Sequence, residues 1–299
     1  MEPMDILRNT LVKNFGEDQA QEVIKASEDD ANLPAFPVVH TVNKPEATTT
    51  TKSSKKRAPG TLPVWSEEKR GIPHALIRTA IFGLVKKGEK RRLKNEVIAS
   101  IDGMTVRQTG SQLDQNDLAV WMQLIHLARL QGTDKKITFT AAEFLKSIGK
   151  GVSKHQYDWL KETAAELIAQ SIEVRCERYS YSGPLVRQFY LDHEENRYVL
   201  EINSDLAKLF DAGNWCTIEA VHHVNINTEL GKWLYNFFTS HKAGPAGITY
   251  SVEKLHALCR SQQKEMRAFK QQIKLSMKAV AEQTGWRYEL VNNNLKVFK

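Results

Sequence analysis

The fold is decided by residues 248–299, which read ITYSVEKLHALCRSQQKEMRAFKQQIKLSMKAVAEQTGWRYELVNNNLKVFK. The apolar spacing predicts a short strand over 248–251, a short helix over 252–259 and a long helix over about 261–283. A strand pair over 286–298 follows, around a run of three asparagines. With a preceding helix, this order is that of a winged helix, a helix-turn-helix with a β-hairpin appended.

The same order occurs earlier in the chain. Ile137-Thr138-Phe139-Thr140 resembles Ile248-Thr249-Tyr250-Ser251 and is followed by predicted helices over 141–149 and 153–170. Strand-like runs then extend to Ile202. Because one unit is present twice, the sequence predicts an α+β protein with two tandem winged-helix (helix-turn-helix plus β-hairpin) domains.

Local signals predict the elements that precede the first copy. Pro73 is placed as the first-turn proline of a helix running to about Lys87. Asp102-Gly103 predicts a hairpin over 93–109, and Asp114, with Asp117 three residues on, predicts a capped helix.

The first part of the chain differs in composition. Residues 5–27 have helical apolar spacing, whereas residues from about 31 to 65 are rich in Pro, Thr, Ser and Lys, which is typical of a disordered linker. The predicted organisation is an N-terminal helical extension over 1–30, a disordered linker over 31–65, a first winged-helix domain over 66–212, and a second, the main DNA-reading domain, over 213–299.

The 299-residue chain has a formal charge of +7, and this charge is unevenly distributed. Residues 1–60 carry 8 Lys and Arg against 9 acids, whereas residues 230–299 carry 12 against 4, a net of +8. Such asymmetry indicates a polyanion as partner, nucleic acid before a membrane surface.

On the long C-terminal helix, apolar residues take one side and basic residues an adjacent arc, which suits a helix that packs on a core and enters a DNA groove. We expect Arg267, Gln271 and Lys274 to reach base edges. We expect Lys264, Lys270 and Lys278 to neutralise phosphates, as would Arg287, Lys296 and Lys299 on the hairpin. The alternative is a merely solvated face, although such faces normally mix both signs.

A second basic cluster precedes the first winged helix and is a candidate clamp on the DNA backbone, with an exposed helix end as the alternative. Its candidate contacts are Lys86, Lys87, Lys90, Arg91 and Arg92.

No motif of an enzyme is found. Gly83 to Glu89 has P-loop glycine spacing but an acid at the lysine position, and the adjacent His222 and His223 make a poor metal pair on a strand. Cys176, Cys216 and Cys259 are odd in number and far apart, which predicts buried thiols. We therefore expect no catalytic residue, no cofactor and no metal, and a location in the cytosol, since no signal peptide or membrane span is present.

The sequence resembles the TrfA-type plasmid replication initiators over about residues 70–299. The resembling segments are Arg78 to Phe82, Thr109-Gly110 followed by Leu113 to Trp121, Ile137 to Thr140, Phe237 to His241, and the basic C-terminal helix. The resemblance implies that the protein binds the double-stranded DNA of a plasmid origin at direct repeats called iterons. It also implies that the protein opens the origin together with host DnaA and recruits the host DnaB helicase. It also implies copy-number control through a homodimer in equilibrium with an initiating monomer, and no membrane partner.

One segment departs from that pattern. The family's type member has Gln-Leu-x-Leu-Phe, a motif that binds the sliding clamp, before its first winged helix, where this chain has Leu62-Pro63-Val64-Trp65. The departure puts recruitment of the sliding clamp in doubt. A winged-helix transcriptional repressor without initiator activity remains the alternative function.

Overall fold

The computed structural model describes residues 61–299, with gaps at 87, 102, 133–135, 176–179, 196 and 203. The predicted helix over 5–27 and nearly all of the predicted linker lie outside the described residues, as do Lys87 and Cys176. The described residues all belong to one compact unit.

The first winged helix has the expected elements in the expected order. Helix α2 (Gln115–Gln131) is followed by β4 (Ile137–Phe139), α3 (Ala141–Ser147) and α4 (Lys154–Ile168). The wing consists of β7 (Gln188–Asp192) and β8 (Arg197–Glu201).

The second winged helix repeats this arrangement. Helix α6 (Glu229–Thr239) is followed by β10 (Ile248–Ser251), α7 (Val252–Leu258) and α8 (Met266–Thr284). Its wing consists of β11 (Arg287–Val291) and β12 (Asn294–Phe298).

Sheet topology shows that the two units are equivalent. In both, the short first strand pairs with the last strand of the wing, giving the orders β4-β8-β7 and β10-β12-β11. In both, a hydroxyl at the end of the first strand caps the next helix: Thr140 accepts from the Glu143 amide and Ser251 from the Lys254 amide. The tetrapeptide repeat therefore marks the same strand-to-helix junction twice.

A separate sheet precedes and flanks the first winged helix. The predicted hairpin is present as β2 (Arg92–Ile98) and β3 (Thr105–Ser111), and two strands inserted after α4, β5 (Ser171–Arg175) and β6 (Ser180–Gly183), extend it in the order β2-β3-β5-β6. The predicted capping box is also present: the Asp114 carboxylate accepts from the Asp117 amide, and the Asp117 carboxylate accepts from the Asp114 amide.

Contacts between distant segments tie the units together. Strand β1 (Lys69–Pro73) pairs with β9 (Trp215–Glu219), which follows a 3₁₀ helix (Ser204–Gly213) and precedes the short helix α5 (Ala220–Asn225). Buried side chains from both winged helices form one continuous core. The domain boundary between 212 and 213 stays a prediction.

Three local predictions were wrong. Helix α1 covers only His74–Ile77 and not the stretch to Lys87, because Pro73 ends strand β1 and residues beyond Arg78 bond to other segments, Ala80 to Ala99 and Gly83 to Leu113. Helix α8 starts at Met266 and not near residue 261. His222 and His223 lie on helix α5 and not on a strand.

The end of the predicted linker is packed instead of disordered. Leu62 and Trp65 are buried, and the Trp65 ring stacks on Phe210 at 6.0 Å and donates to His126 Nδ1 at 3.1 Å. The packed chain therefore begins before residue 66, because these side chains complete the core around β1 and β9.

Candidate nucleic-acid interface

Helix α8, which we call the reading helix, is fixed by one apolar face. Phe269, Ile273, Met277 and Val280 are all fully buried, as the spacing predicts. The neighbouring Ser276 hydroxyl is bonded to the Thr228 hydroxyl, 3.2 Å away, at the start of α6. The helix is therefore locked against the core along its length, and the direction in which its exposed face points is fixed as well.

The turn before the reading helix is held by side chains. The His256 ring packs edge-on against Phe269 at 4.8 Å between centroids, and its Nε2 is 2.8 Å from the Gln263 carbonyl oxygen. Arg260 takes a left-handed backbone with φ of 51°, which reverses the chain between α7 and α8. These contacts fix where the reading helix begins.

Basic and amide side chains occupy the arc next to the apolar face. With Met266 set at 0° and about 100° added per residue around the helix axis, these side chains span roughly 40° to 140°, whereas the buried residues centre near 320°. We name this set the basic arc: Lys270, Lys274, Arg267, Lys278 and Gln271. All are exposed except Lys270, which is half-buried.

The charges of the basic arc are largely uncompensated. In the part of the chain that the structure describes, no carboxylate lies within ion-pairing distance of Arg267, Lys274 or Lys278. Uncompensated cations on a rigid helix attract a polyanion without first breaking ion pairs, and they release its counterions on binding.

A groove separates the reading helix from the tip of its wing. Asn292 and Asn293 form the tip with left-handed φ angles of 48° and 62°, which asparagine tolerates better than most residues. The Lys270 ammonium donates to Asn293 Oδ1, and the Tyr288 hydroxyl donates to the Lys274 carbonyl oxygen at 3.3 Å. The groove is lined by Arg267, Lys270, Gln271, Lys274, Leu290, Asn292 and Asn293.

The structure does not bring all predicted wing contacts to this groove. Arg287 and Lys296 alternate with the buried Leu295 and Val297 across the sheet, so they lie on its outer face. They flank the Phe298 ring at 5.3 and 5.1 Å from its centroid. Lys264 is exposed but precedes the helix and is not part of the basic arc.

Lys299 has a different role from the predicted phosphate contact. Its ammonium donates to the carbonyl oxygens of Phe238 at 3.0 Å, Thr239 at 3.3 Å and His241 at the end of helix α6. Burial lowers the pKa of this ammonium. Lys299 therefore satisfies carbonyls that the end of the helix leaves unpaired.

In the second basic cluster, Lys90 is surrounded by carboxylates. Lys90 is bonded to Asp117 at 2.8 Å and Glu166 at 2.5 Å, with Asp114 at 3.8 Å. Burial alone would lower the pKa of Lys90, but these carboxylates outweigh it and raise the pKa above its ordinary value. The charge of Lys90 is thus already compensated by carboxylates of the fold, so we do not propose it as a backbone clamp.

The other described members of the cluster face solvent. Lys86 and Arg91 are exposed, with partners in Glu89 at 4.0 Å and Glu96 at 3.6 Å. Arg92 is also exposed, on strand β2.

This cluster lies against the turn of the second winged helix. The Leu84 amide donates to the Cys259 carbonyl oxygen at 2.7 Å, and Lys86 lines a cleft together with Gln262, Gln263 and Gln272. The fold therefore places Lys86 beside the start of the reading helix, 180 residues away in sequence.

In the described residues, the other titratable groups do not come together as a metal site. Burial raises the pKa of the Cys216 and Cys259 thiols to about 12, and burial lowers the pKa of His223 to about 3. Within the described ranges no group of His, Cys, Asp and Glu is placed to hold a metal ion, and no helix is both long and apolar enough to cross a membrane.

Comparisons with known proteins identify relatives. The family model described as TrfA protein matches residues 53–299. The plasmid replication initiator protein TrfA of Escherichia coli is 24% identical over 217 residues, which cover 70% of this chain and 56% of the relative. The chain thus spans about half the length of that curated relative.

Solved structures resemble the fold. A crystal structure of domains 2 and 3 of RctB superposes with a TM-score of 0.54 at 13% identity, over 75% of this chain and 96% of that one. The Pi initiator protein, crystallised in complex with iteron DNA, gives a TM-score of 0.47 at 11% identity, over 66% and 97%. The RctB match supports the tandem winged-helix fold.

Proposed function

Because the chain belongs to the TrfA protein family, we propose that it is a plasmid replication initiator that binds iterons as double-stranded DNA in the bacterial cytoplasm. The single observation that carries this proposal is the basic arc, a row of uncompensated cations on a helix locked to the core. An α-helix fits the major groove of B-DNA, and Arg, Lys and Gln have the donors and acceptors that distinguish its base pairs.

The proposed contacts divide by position. Arg267, Gln271 and Lys274, in the middle of the basic arc and beside the groove, read base edges. Lys264, Lys270 and Lys278 contact phosphates around them, and Lys86, Arg91 and Arg92 extend the positive surface next to the start of the reading helix. Arg287 and Lys296, on the outer face of the wing, reach only DNA that bends around it. Lys87 lies outside the described residues and stays a prediction.

Footprinting on the cognate plasmid origin tests the DNA site. Protection is expected over tandem repeats spaced by about two helical turns, and an Arg267→Ala/Lys274→Ala double variant should lose it. A matched control is Lys208→Ala. Lys208 is exposed on the 3₁₀ helix, and its Nζ atom lies 2.7 Å from Asp205 Oδ1. Protection of one isolated palindrome, or equal loss in both variants, would contradict the proposal.

Initiation is separable from repression by a genetic test. If the protein initiates replication, deletion of its gene causes loss of the plasmid, whereas a repressor's deletion leaves the plasmid in place. Catalysis is not part of the proposal, and incubation of supercoiled origin DNA with metal ions should yield neither nicked circles nor a covalent adduct.

The further steps that we propose rest on the family resemblance. The protein opens the origin together with host DnaA and recruits host DnaB, with the N-terminal extension over 1–30 as the helicase contact. The test is reconstitution on a supercoiled origin, where single-stranded DNA should require both initiator and DnaA, and helicase loading should require residues 1–30.

Copy-number control is proposed through a homodimer that does not initiate and a monomer that does. Sedimentation across a concentration series, with and without iteron duplex, tests this: DNA should shift the protein toward the monomer. The sliding clamp is not among the proposed partners, because Leu62 and Trp65, in the segment before the first winged helix where a clamp motif was sought, are buried in the core.

A further inference from the structure

One apolar side chain on the reading helix is not used by the core. Leu275 is 70% exposed, whereas Phe269, Ile273, Met277 and Val280 on the same helix are fully buried. At about 100° per residue it lies near 180°, roughly 40° beyond Gln271 at the edge of the basic arc. It is one helical turn from both Gln271 and Lys278, so these polar groups border it along the helix.

The surroundings of Leu275 match one small apolar group better than a protein partner. A stable protein interface buries about 800 Å² on each side, and the helix positions around Leu275 are occupied by polar side chains and by the small Ala268 and Ala279. In the DNA major groove, the C5-methyl group of thymine is the apolar feature that proteins contact with apolar side chains.

The spacing along the helix relates Leu275 to the bases that its neighbour reads. Residues 271 and 275 are about 6 Å apart along the helix axis, which corresponds to less than two base-pair steps of about 3.4 Å. A thymine methyl under Leu275 would therefore lie within one or two base pairs of the base that Gln271 is proposed to read.

We propose that Leu275 is a specificity-determining residue that reads a thymine methyl group within the bound repeat. The inference rests on the proposed function of the reading helix. It adds an apolar recognition element to the hydrogen-bonding groups of the basic arc, and it predicts that at least one thymine of the site is selected through its methyl group and not only through its hydrogen bonds.

The test uses a duplex obtained by in vitro selection with the full-length protein from random DNA, in which each thymine is replaced in turn by deoxyuracil. This change removes one methyl group and leaves base pairing intact. For the wild type, one replacement should weaken binding about three- to fivefold, the value expected for loss of one buried methyl group. The Leu275→Ala variant should bind the thymine duplex more weakly by at least that factor and should be insensitive to the same replacement.

The matched control is Leu130→Ala, since Leu130 is 48% exposed on helix α2, away from the reading helix. It should bind like the wild type and keep its sensitivity to deoxyuracil. The inference is overturned if Leu275→Ala binds as tightly as the wild type, or if it weakens binding equally to thymine and deoxyuracil duplexes. Failure of the wild-type protein to select any duplex would instead overturn the proposed function.

Discussion

Arg260 and Glu96 form an ion pair that joins the turn before the reading helix to strand β2. The Arg260 Nη2 donates to Glu96 Oε1 at 2.9 Å, and its Nη1 lies 3.4 Å from Gln108 Oε1 on β3. Burial lowers the pKa of the Arg260 guanidinium, and Glu96 opposes this shift. The second winged helix is thus bonded, at the point where the reading helix begins, to the separate sheet that flanks the first winged helix.

Arg260→Ala should therefore lower the free energy of unfolding by about 1–2 kcal/mol, because Glu96 is partly exposed and can rehydrate. Chemical denaturation checks this value, and the Glu96→Gln variant and the double variant complete a cycle. If the two single changes add without interaction, the ion pair contributes nothing to the junction.

Base contacts and phosphate contacts on the basic arc should respond differently to truncation. Arg267→Ala should cost about 1–3 kcal/mol on cognate DNA and relax the preference at particular bases. Lys278→Ala should weaken all sequences alike and make the salt slope shallower by about 1. Affinities for cognate and scrambled duplexes at several salt concentrations measure both. A uniform effect of Arg267→Ala would reverse its assignment as a base reader.

Lys90 should matter for stability and not for DNA affinity. Lys90→Met leaves Asp114, Asp117 and Glu166 without their shared cation, so the free energy of unfolding should fall by about 2–4 kcal/mol. Lys86→Ala, at an exposed pair, should change it by no more than about 0.5 kcal/mol. Thermal unfolding of both variants makes the comparison. Equal effects would show that the Lys90 cluster is no more than a surface pair.

Two buried histidines should make the protein less stable in acid. The pKa of His126 is lowered to about 4 by burial and by Arg70 and Arg129, and that of His223 to about 3 by burial and by Lys232. In the unfolded chain both titrate near 6.5, so unfolding takes up protons and the free energy of unfolding falls as the pH decreases from about 7 to 4. His126→Gln, which keeps an acceptor for Trp65, should reduce that slope. Denaturation midpoints at several pH values measure this slope, and an unchanged slope would show that His126 does not contribute to the loss of stability in acid.

Much of the fold was predictable because its signals are local. The cap at Asp114, the hairpin at Gly103, the apolar spacing of the reading helix and the repeated tetrapeptide each involve residues close in sequence. The predictions failed where distant segments compete for the backbone. Residues 78–83 have apolar helical spacing, but Ala80 and Gly83 bond to Ala99 and Leu113, so the segment is not helical. The sequence did not predict that strands β5 and β6 extend the β2-β3 hairpin, since the sequence of a strand does not by itself specify the strand with which it pairs.

The candidate site divides in the same way. Helical periodicity is a property of a short window, and it placed Arg267, Gln271, Lys274 and Lys278 on one arc beside a buried face without any knowledge of the rest of the molecule. The sign of a charge is likewise readable from the residue type. Whether that charge is available depends on which groups the fold brings to it.

Only the folded chain distinguishes the lysines from one another. Lys90 meets three carboxylates that come from helix α2 and helix α4, and Lys299 meets the carbonyl ends of helix α6, whereas Lys274 and Lys278 meet solvent. Electrostatic compensation acts over a few ångströms in space, and the partners of Lys90 and Lys299 lie tens of residues away in the chain. The residues present set the total positive charge, and contacts between distant segments decide which part of it stays exposed on the proposed DNA-binding surface.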